Sequence, residues 1–219
     1  MTETHEALNS MIKAHPQLSI PIVDHIDQRV CLHGVDWDAF EAVLAARGDE
    51  GGTRITYCDG ELELMTPSID HESLKTRLAR LLETWAEITG IELEGFGSWT
   101  LKEKAQRLGI EADECYVVGP FDQPPPVPDL AIEVVWTHGG LDKLEVYRRL
   151  GVPEVWFWQD GGLRFFQLQG DRYLPASRSQ ILPELDPGLF SRCMAEPTQT
   201  RALRALRQAL VGGDRSHFG

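Results

Sequence analysis

The chain has 219 residues, 42% of them hydrophobic and 25% charged, with a formal net charge of −13. This length and composition suit one main globular domain with extensions, and disorder is not the default. No stretch approaches the roughly 18 apolar residues of a membrane helix. Met1 to Gln17 is too polar and acidic for a signal or transit peptide, so a cytoplasmic location is expected.

Four cysteines (Cys31, Cys58, Cys115, Cys193) are scattered, with no C-x-x-C pair and no paired histidines nearby. A structural zinc site and a disulfide framework are therefore both unexpected, and the thiols read as reduced and mostly buried. The acidity argues against a protein that coats nucleic acid, which carries a basic footprint. An acidic chain can still act on nucleic acid where its cations cluster and metal ions offset an acidic site.

Residues 1–30 carry little pattern and read as peripheral, within an N-terminal extension that ends at residue 34. Asp36 caps a short helix in which Trp37, Phe40 and Leu44 share a face and which Gly48 ends. Arg54 to Tyr57 and Glu61 to Met65 flank Asp59-Gly60, a strong hairpin signal. Leu62 and Leu64 point to one face of that hairpin, Glu61 and Glu63 to the other. From Ser68 to Thr89 the period is helical, with an apolar stripe of Leu74, Leu78, Leu81, Leu82, Trp85 and Ile88 and a stop at Gly90. Ser68 or Asp70 caps this helix and places His71 in its first turn.

Strands are expected at about 91–104 and 109–118, with the bend at Gly109, and a proline-rich loop over 119–128. Asp129 to Trp136 is apolar on both faces, as in a central strand, with Glu133 in its middle. Gly139-Gly140 leads to a helix with Leu141, Leu144, Tyr147 and Leu150, ended by Gly151-Val152-Pro153. A second hairpin pairs residues 154–158 with 163–168, and Arg172 to Leu174 adds a strand. Arg201, Arg204 and Arg207 alternate with Leu203, Leu206 and Leu210 in a C-terminal helix, part of a 191–219 segment that ends in a flexible tail. The order predicts an α/β fold: a mixed central sheet flanked by helices, in a main domain over 35–190.

A carboxylate inside an apolar strand is costly unless it is paired or binds a metal. Glu133 is such a residue, and Asp113 precedes it on a neighbouring strand. Two carboxylates converging with a backbone carbonyl make a hard oxygen site suited to Mg²⁺ or Mn²⁺. The alternative is a solvated Asp113 and a Glu133 paired with Lys143 or an arginine.

Several segments, in order, resemble the Uma-type family of restriction endonucleases in the PD-(D/E)XK nuclease superfamily. They are Tyr57-Cys58-Asp59-Gly60-Glu61-Leu62-Glu63-Leu64-Met65-Thr66-Pro67 with His71, then Glu111-Ala112-Asp113-Glu114-Cys115-Tyr116, and then Pro128-Asp129-Leu130-Ala131-Ile132-Glu133-Val134. Leu141-Asp142-Lys143 follows, running through Tyr147 to Gly151-Val152-Pro153-Glu154-Val155-Trp156. The resemblance spans roughly residues 35–187. It implies a restriction-endonuclease-like fold, Mg²⁺- or Mn²⁺-dependent hydrolysis of DNA phosphodiesters, and a homodimer.

By this resemblance Asp113 matches the Asp of the PD element and Glu133 the acid of (D/E)XK, with the carbonyl of Val134 as a third metal ligand. Ala112 replaces the proline, which sets backbone shape and offers no ligand. Val135 stands where the lysine is expected, and the resemblance implies that Lys143 supplies the missing charge. Glu61 matches a family acid, with Glu63 as its competitor on the same face. His71 matches a further position, for proton transfer or phosphate contact, unless it only bonds locally.

Thr137-His138-Gly139-Gly140 either admits a phosphate to backbone N–H groups or is a plain loop. Lys75, Arg77 and Arg80, with Lys102, Lys104 and Arg107, form the expected basic footprint in one groove, unless they are solvated faces. Tyr147, Trp156, Trp158 and Phe166 read as core. No nucleophile elbow, Walker loop or dinucleotide fingerprint is present. Beside the endonuclease stand two other classes: a catalytically inactive relative serving as a nucleic-acid-binding or regulatory module, and a phosphoesterase-like hydrolase.

Overall fold

The computed structural model describes residues 25–48, 52–135 and 140–213. Strand β1 (Gln28–Leu32) precedes helix α1 (Trp37–Arg47), which Asp36 caps by accepting the Ala39 amide at 2.8 Å. Strands β2 (Arg54–Cys58) and β3 (Glu61–Thr66) turn over Asp59 and Gly60, both at positive φ (50° and 102°), as a two-residue hairpin turn requires. Ser68 caps α2 (Ile69–Thr89), its hydroxyl accepting the His71 amide at 3.2 Å, and Gly90 closes it in a left-handed conformation.

Where two long strands were expected, the chain makes four short ones: β4 (Leu93–Gly97), β5 (Thr100–Glu103), β6 (Leu108–Glu111) and β7 (Glu114–Val118). The bend falls at Lys104–Gln106 and Arg107, which takes φ 55°, rather than at Gly109. Gly109 lies inside β6 for a different reason. A Cβ there would meet Cζ of Phe40 at 2.3 Å, so only glycine lets α1 pack so closely.

The remaining elements are β8 (Leu130–Val134), α3 (Lys143–Leu150), β9 (Glu154–Gln159), β10 (Gly162–Gln169), β11 (Arg172–Ala176), α4 (Pro187–Met194) and α5 (Gln199–Gly213). Among the described residues the strands form two sheets. One is five-stranded and antiparallel, in the order β1-β3-β2-β6-β5; the other is six-stranded, in the order β11-β10-β9-β8-β7-β4. The second is mixed, because β8 and β9 run parallel across the α3 crossover. The expected mixed sheet is thus present, with a second sheet beside it.

Strand β8 is an inner strand, buried throughout. Leu130, Ile132 and Val134 pack with Leu78, Leu81, Leu82 and Trp85 of α2 on one face, and Ala131 packs with Val146 and Tyr147 of α3 on the other. Two helices feeding two cores explain why this strand is apolar on both faces. Glu133 shares the parity of Ala131 and therefore faces α3. Asp113 lies in the two-residue link between β6 and β7, where the chain passes from one sheet to the other.

Two elements have no counterpart in the sequence reading. Strand β1 pairs with β3, so part of the segment expected to be peripheral belongs to a sheet. Helix α4 starts with Pro187 behind an Asp186 cap, and α5 buries Ala202 and Leu206 in the core shared with α2. All four cysteines are unpaired, but only Cys115 and Cys193 are buried; Cys31 is exposed and Cys58 half-buried. Residues 1–24, 136–139 and the tail after Gly213 lie outside the described residues. No described helix is long and apolar enough to cross a membrane.

Candidate active site

Asp113 is fully buried and held from both sheets and from α2. Its Oδ2 accepts the Val134 amide at 2.9 Å and lies 3.0 Å from His71 Nε2. His71, itself fully buried, places Nδ1 3.2 Å from Asp27 Oδ2. Burial pulls the His71 pKa down, but the two aspartates outweigh it and the net shift is upward, so the protonated ring is favoured between them. Burial likewise pushes Asp113 up, yet His71, Lys143 and the Val134 amide hold it well below the usual carboxylate range.

Glu133 is also buried. Lys143 Nζ donates to its Oε2 at 2.5 Å and the Tyr147 hydroxyl to its Oε1 at 2.5 Å. Burial raises the Glu133 pKa; Lys143 opposes this and Asp113 adds to it, leaving it at about 7. Lys143 loses from burial but gains more from Glu133 and Asp113, so its pKa rises and it stays charged. Two carboxylates near one ammonium are thereby driven apart, one firmly ionised and one poised near neutrality. Arg29, Glu63, Glu133, Val134, Val135 and Lys143 are among the residues lining a cavity of about 200 Å³. Lys143 thus enters the cavity that Val135 lines.

The structure brings together Asp113, Glu133, Lys143 and His71 but leaves out Glu61. Glu61 is paired with His33 and is half exposed, while Glu63, 2% exposed, accepts the Leu141 amide at 3.1 Å inside the cavity. Both acids share a strand face, but Glu61 sits at the hairpin end, opposite Cys58, and Gly140 and Leu141, leading into α3, pass over Glu63 instead. Gly140 lies against this acid: a Cβ there would come 2.0 Å from Glu63 Oε2. The His71 backbone amide bonds locally to Ser68, but its buried ring bonds Asp27 and Asp113 and offers no surface to phosphate; it braces Asp113.

The six basic residues do not gather in one groove. Arg77 donates to the carbonyls of Met194 and Glu196 at 2.8 and 2.6 Å, and Arg80 lies against Gln199. Lys102 and Lys104 pair with Glu41 and Asp38 of α1, and Arg107 donates to the Tyr57 hydroxyl at 3.2 Å. Long basic side chains on α2 find the C-terminal helices, which the sequence period could not foretell. Lys75 is the exception: it lies beside Arg54, paired with Glu72 at 2.8 Å.

Asp27, Arg29, Arg54 and the hydroxyl of Tyr147 were missed from sequence. Asp27 and Arg29 sit in an unpatterned stretch, and Arg54 opens an otherwise ordinary hairpin. Only Tyr147 carries a signal, since it falls one helical turn after Lys143 on the face that meets Glu133.

Among the described residues no group of three His, Cys, Asp or Glu side chains could hold a metal ion alone. A hard cation would need two carboxylates completed by a carbonyl and water. One observation bears on it: Asp113 Oδ1 is buried and has no hydrogen-bond partner among the described residues, only the Arg54 guanidinium facing it with Nε at 3.6 Å. Val134 turns its amide toward Asp113, and an extended residue presents its carbonyl to the same side.

A mixed sheet flanked by helices, with an acid from each of two neighbouring segments beside the parallel step, defines a restriction-endonuclease-like protein. The family model Uma2, described as "Putative restriction endonuclease", matches residues 37–191, and the chain belongs to that family. The comparison with curated proteins returned no match.

Proposed function

We propose that the protein is a divalent-metal-dependent endonuclease that hydrolyses DNA phosphodiester bonds, with Asp113, Glu133 and Lys143 as its working groups. The observation that carries this reading is the 2.5 Å contact of Lys143 with Glu133, which supplies a cation beside Val135. Asp113, Glu133 and the Val134 carbonyl would hold Mg²⁺ or Mn²⁺. When bound, such an ion lowers the pKa of a water molecule and offsets charge building on the phosphate.

The protein's own groups prepare the rest. The His71 imidazolium fixes Asp113 in its ionised form. Tyr147 orients Glu133 through Oε1. Lys143 is charged and reaches the cavity from the first residue of α3, where it can pass from Glu133 to the scissile phosphate or orient the attacking water. Cutting both strands of a duplex calls for two sites, hence a homodimer.

One observation favours the inactive, nucleic-acid-binding reading: both Glu133 oxygens are already taken by side chains of this chain. Incubating plasmid, linear and single-stranded DNA with Mg²⁺ or Mn²⁺, against a chelator control, decides between them. The wild type should cut and Glu133→Gln should not. A wild type that binds duplex but cuts no substrate with either ion supports the inactive module.

A further inference from the structure

A second cavity, of about 400 Å³, is lined by Arg54, Lys75, Ser98, Thr66 and Glu72, and Arg54 links it to Asp113. Arg54 is only 6% exposed, and a buried guanidinium needs partners for its donors. Those it has are poor. Nη2 reaches Glu72 Oε1 at 3.4 Å, while Nε faces Asp113 Oδ1 at 3.6 Å and has no hydrogen-bond partner among the described residues. Lys75 Nζ is held by the other Glu72 oxygen at 2.8 Å. Two cations therefore share one carboxylate, whose side chain is 40% exposed.

A guanidinium is a planar donor set that matches phosphate, and an ammonium beside it adds charge. We infer that Arg54 and Lys75 form a phosphate subsite, taking a DNA backbone phosphodiester adjacent to the one at Asp113, with Glu72 holding the place when no DNA is bound. This rests on the nuclease reading above and extends it to the substrate backbone. It also gives the acidic chain a local cationic contact that the dispersed residues of α2 and β5 do not provide.

The test is the affinity of full-length protein for a short DNA duplex and for inorganic phosphate, with calcium replacing magnesium, alongside plasmid cleavage. Circular dichroism checks each fold, and Lys75→Gln keeps the test open should Arg54→Lys fail to fold. Removing one phosphate contact lowers the salt slope by about one, so between about 50 and about 200 mM salt the wild type should lose about fourfold more affinity than Lys75→Gln. Arg54→Lys should also bind more weakly, and Glu72→Gln more tightly, with phosphate following the same order. If Lys75→Gln and Arg54→Lys bind with wild-type affinity and salt slope, the subsite is overturned, even where plasmid cleavage upholds the nuclease reading. If wild type binds neither duplex nor phosphate, it is overturned too. If the variants lose affinity as expected but the wild type cuts nothing, the subsite stands and the catalytic reading falls.

Discussion

Lys143 and Glu133 meet end to end, Nζ 2.5 Å from Oε2, and this contact ties the first residue of α3 to the C-terminal end of β8. It joins β8 to the start of the crossover helix, at the cavity that Val135 lines. Replacing Lys143 with Met should remove cleavage, since a lost transition-state contact often costs ~10²–10³-fold in rate. The fold should survive, because Glu133 without its ammonium takes a proton and Tyr147 still bonds it. Single-turnover cleavage and circular dichroism check both halves. A Lys143→Met protein that cuts at the parental rate removes Lys143 from the site.

Glu133 sets the pH response. Its pKa of about 7 stands above the ordinary 4.5, so the metal-free fold is favoured with Glu133 protonated. Its contribution to stability is full below 4.5 and is lost as pH rises toward about 7. A cation needs the ionised form, so metal binding runs the opposite way and strengthens as pH rises through the same window. With one proton released, Mn²⁺ affinity should be about tenfold lower at about pH 6 than at about pH 8. Calorimetric titration at the two pH values measures it, and equal affinities would remove Glu133 from the ligand set.

His71 responds in a different window. Its folded pKa is raised above 6.5, so the stability it gains between Asp27 and Asp113 is full below 6.5 and is lost as pH rises through the folded value. Removing one partner of a buried ionic group typically costs about 3–5 kcal/mol. His71→Gln should therefore be less stable by an amount of that order in mildly acid solution, and the gap should narrow as the pH rises. Urea denaturation at a series of pH values follows it. A gap that widens with pH would mean that His71 is neutral in the fold.

Much of this was legible in the sequence because it is local. Asp36, Ser68, Asp59-Gly60 and Gly90 act through their neighbours, and β8 shows its burial in its own composition. Glu133 stood out because an acid among Ile132 and Val134 is anomalous wherever the strand goes. What was hidden depends on distant contacts. Gly109 looked like a bend because its need for closeness to Phe40 is tertiary. Arg77 looked like a surface cation because the carbonyls it caps lie more than a hundred positions away. The single expected sheet became two because the switch at Ala112-Asp113 breaks no local pattern.

The choice between Glu61 and Glu63 shows the same divide and can be measured directly. Alternation puts both on one face, and the family resemblance favours Glu61. The structure puts Glu63 in the cavity, accepting the Leu141 amide at 3.1 Å and with Arg29 Nε 3.9 Å away, and its charge helps hold Lys143 protonated. Glu61 is half exposed and pairs with His33, a surface contact of the kind that contributes little. Groups that orient a metal site from just outside it commonly cost about 10–100-fold in affinity or activity when changed. Glu63→Gln should therefore lower the cleavage rate by about tenfold or more. Glu61→Gln should stay within about twofold of the parent, as a weak surface pair implies. Both variants should fold, since an amide still offers an oxygen to Leu141. Steady-state cleavage of one plasmid under saturating Mg²⁺ compares them, and the reverse order of effects would return the assignment to Glu61.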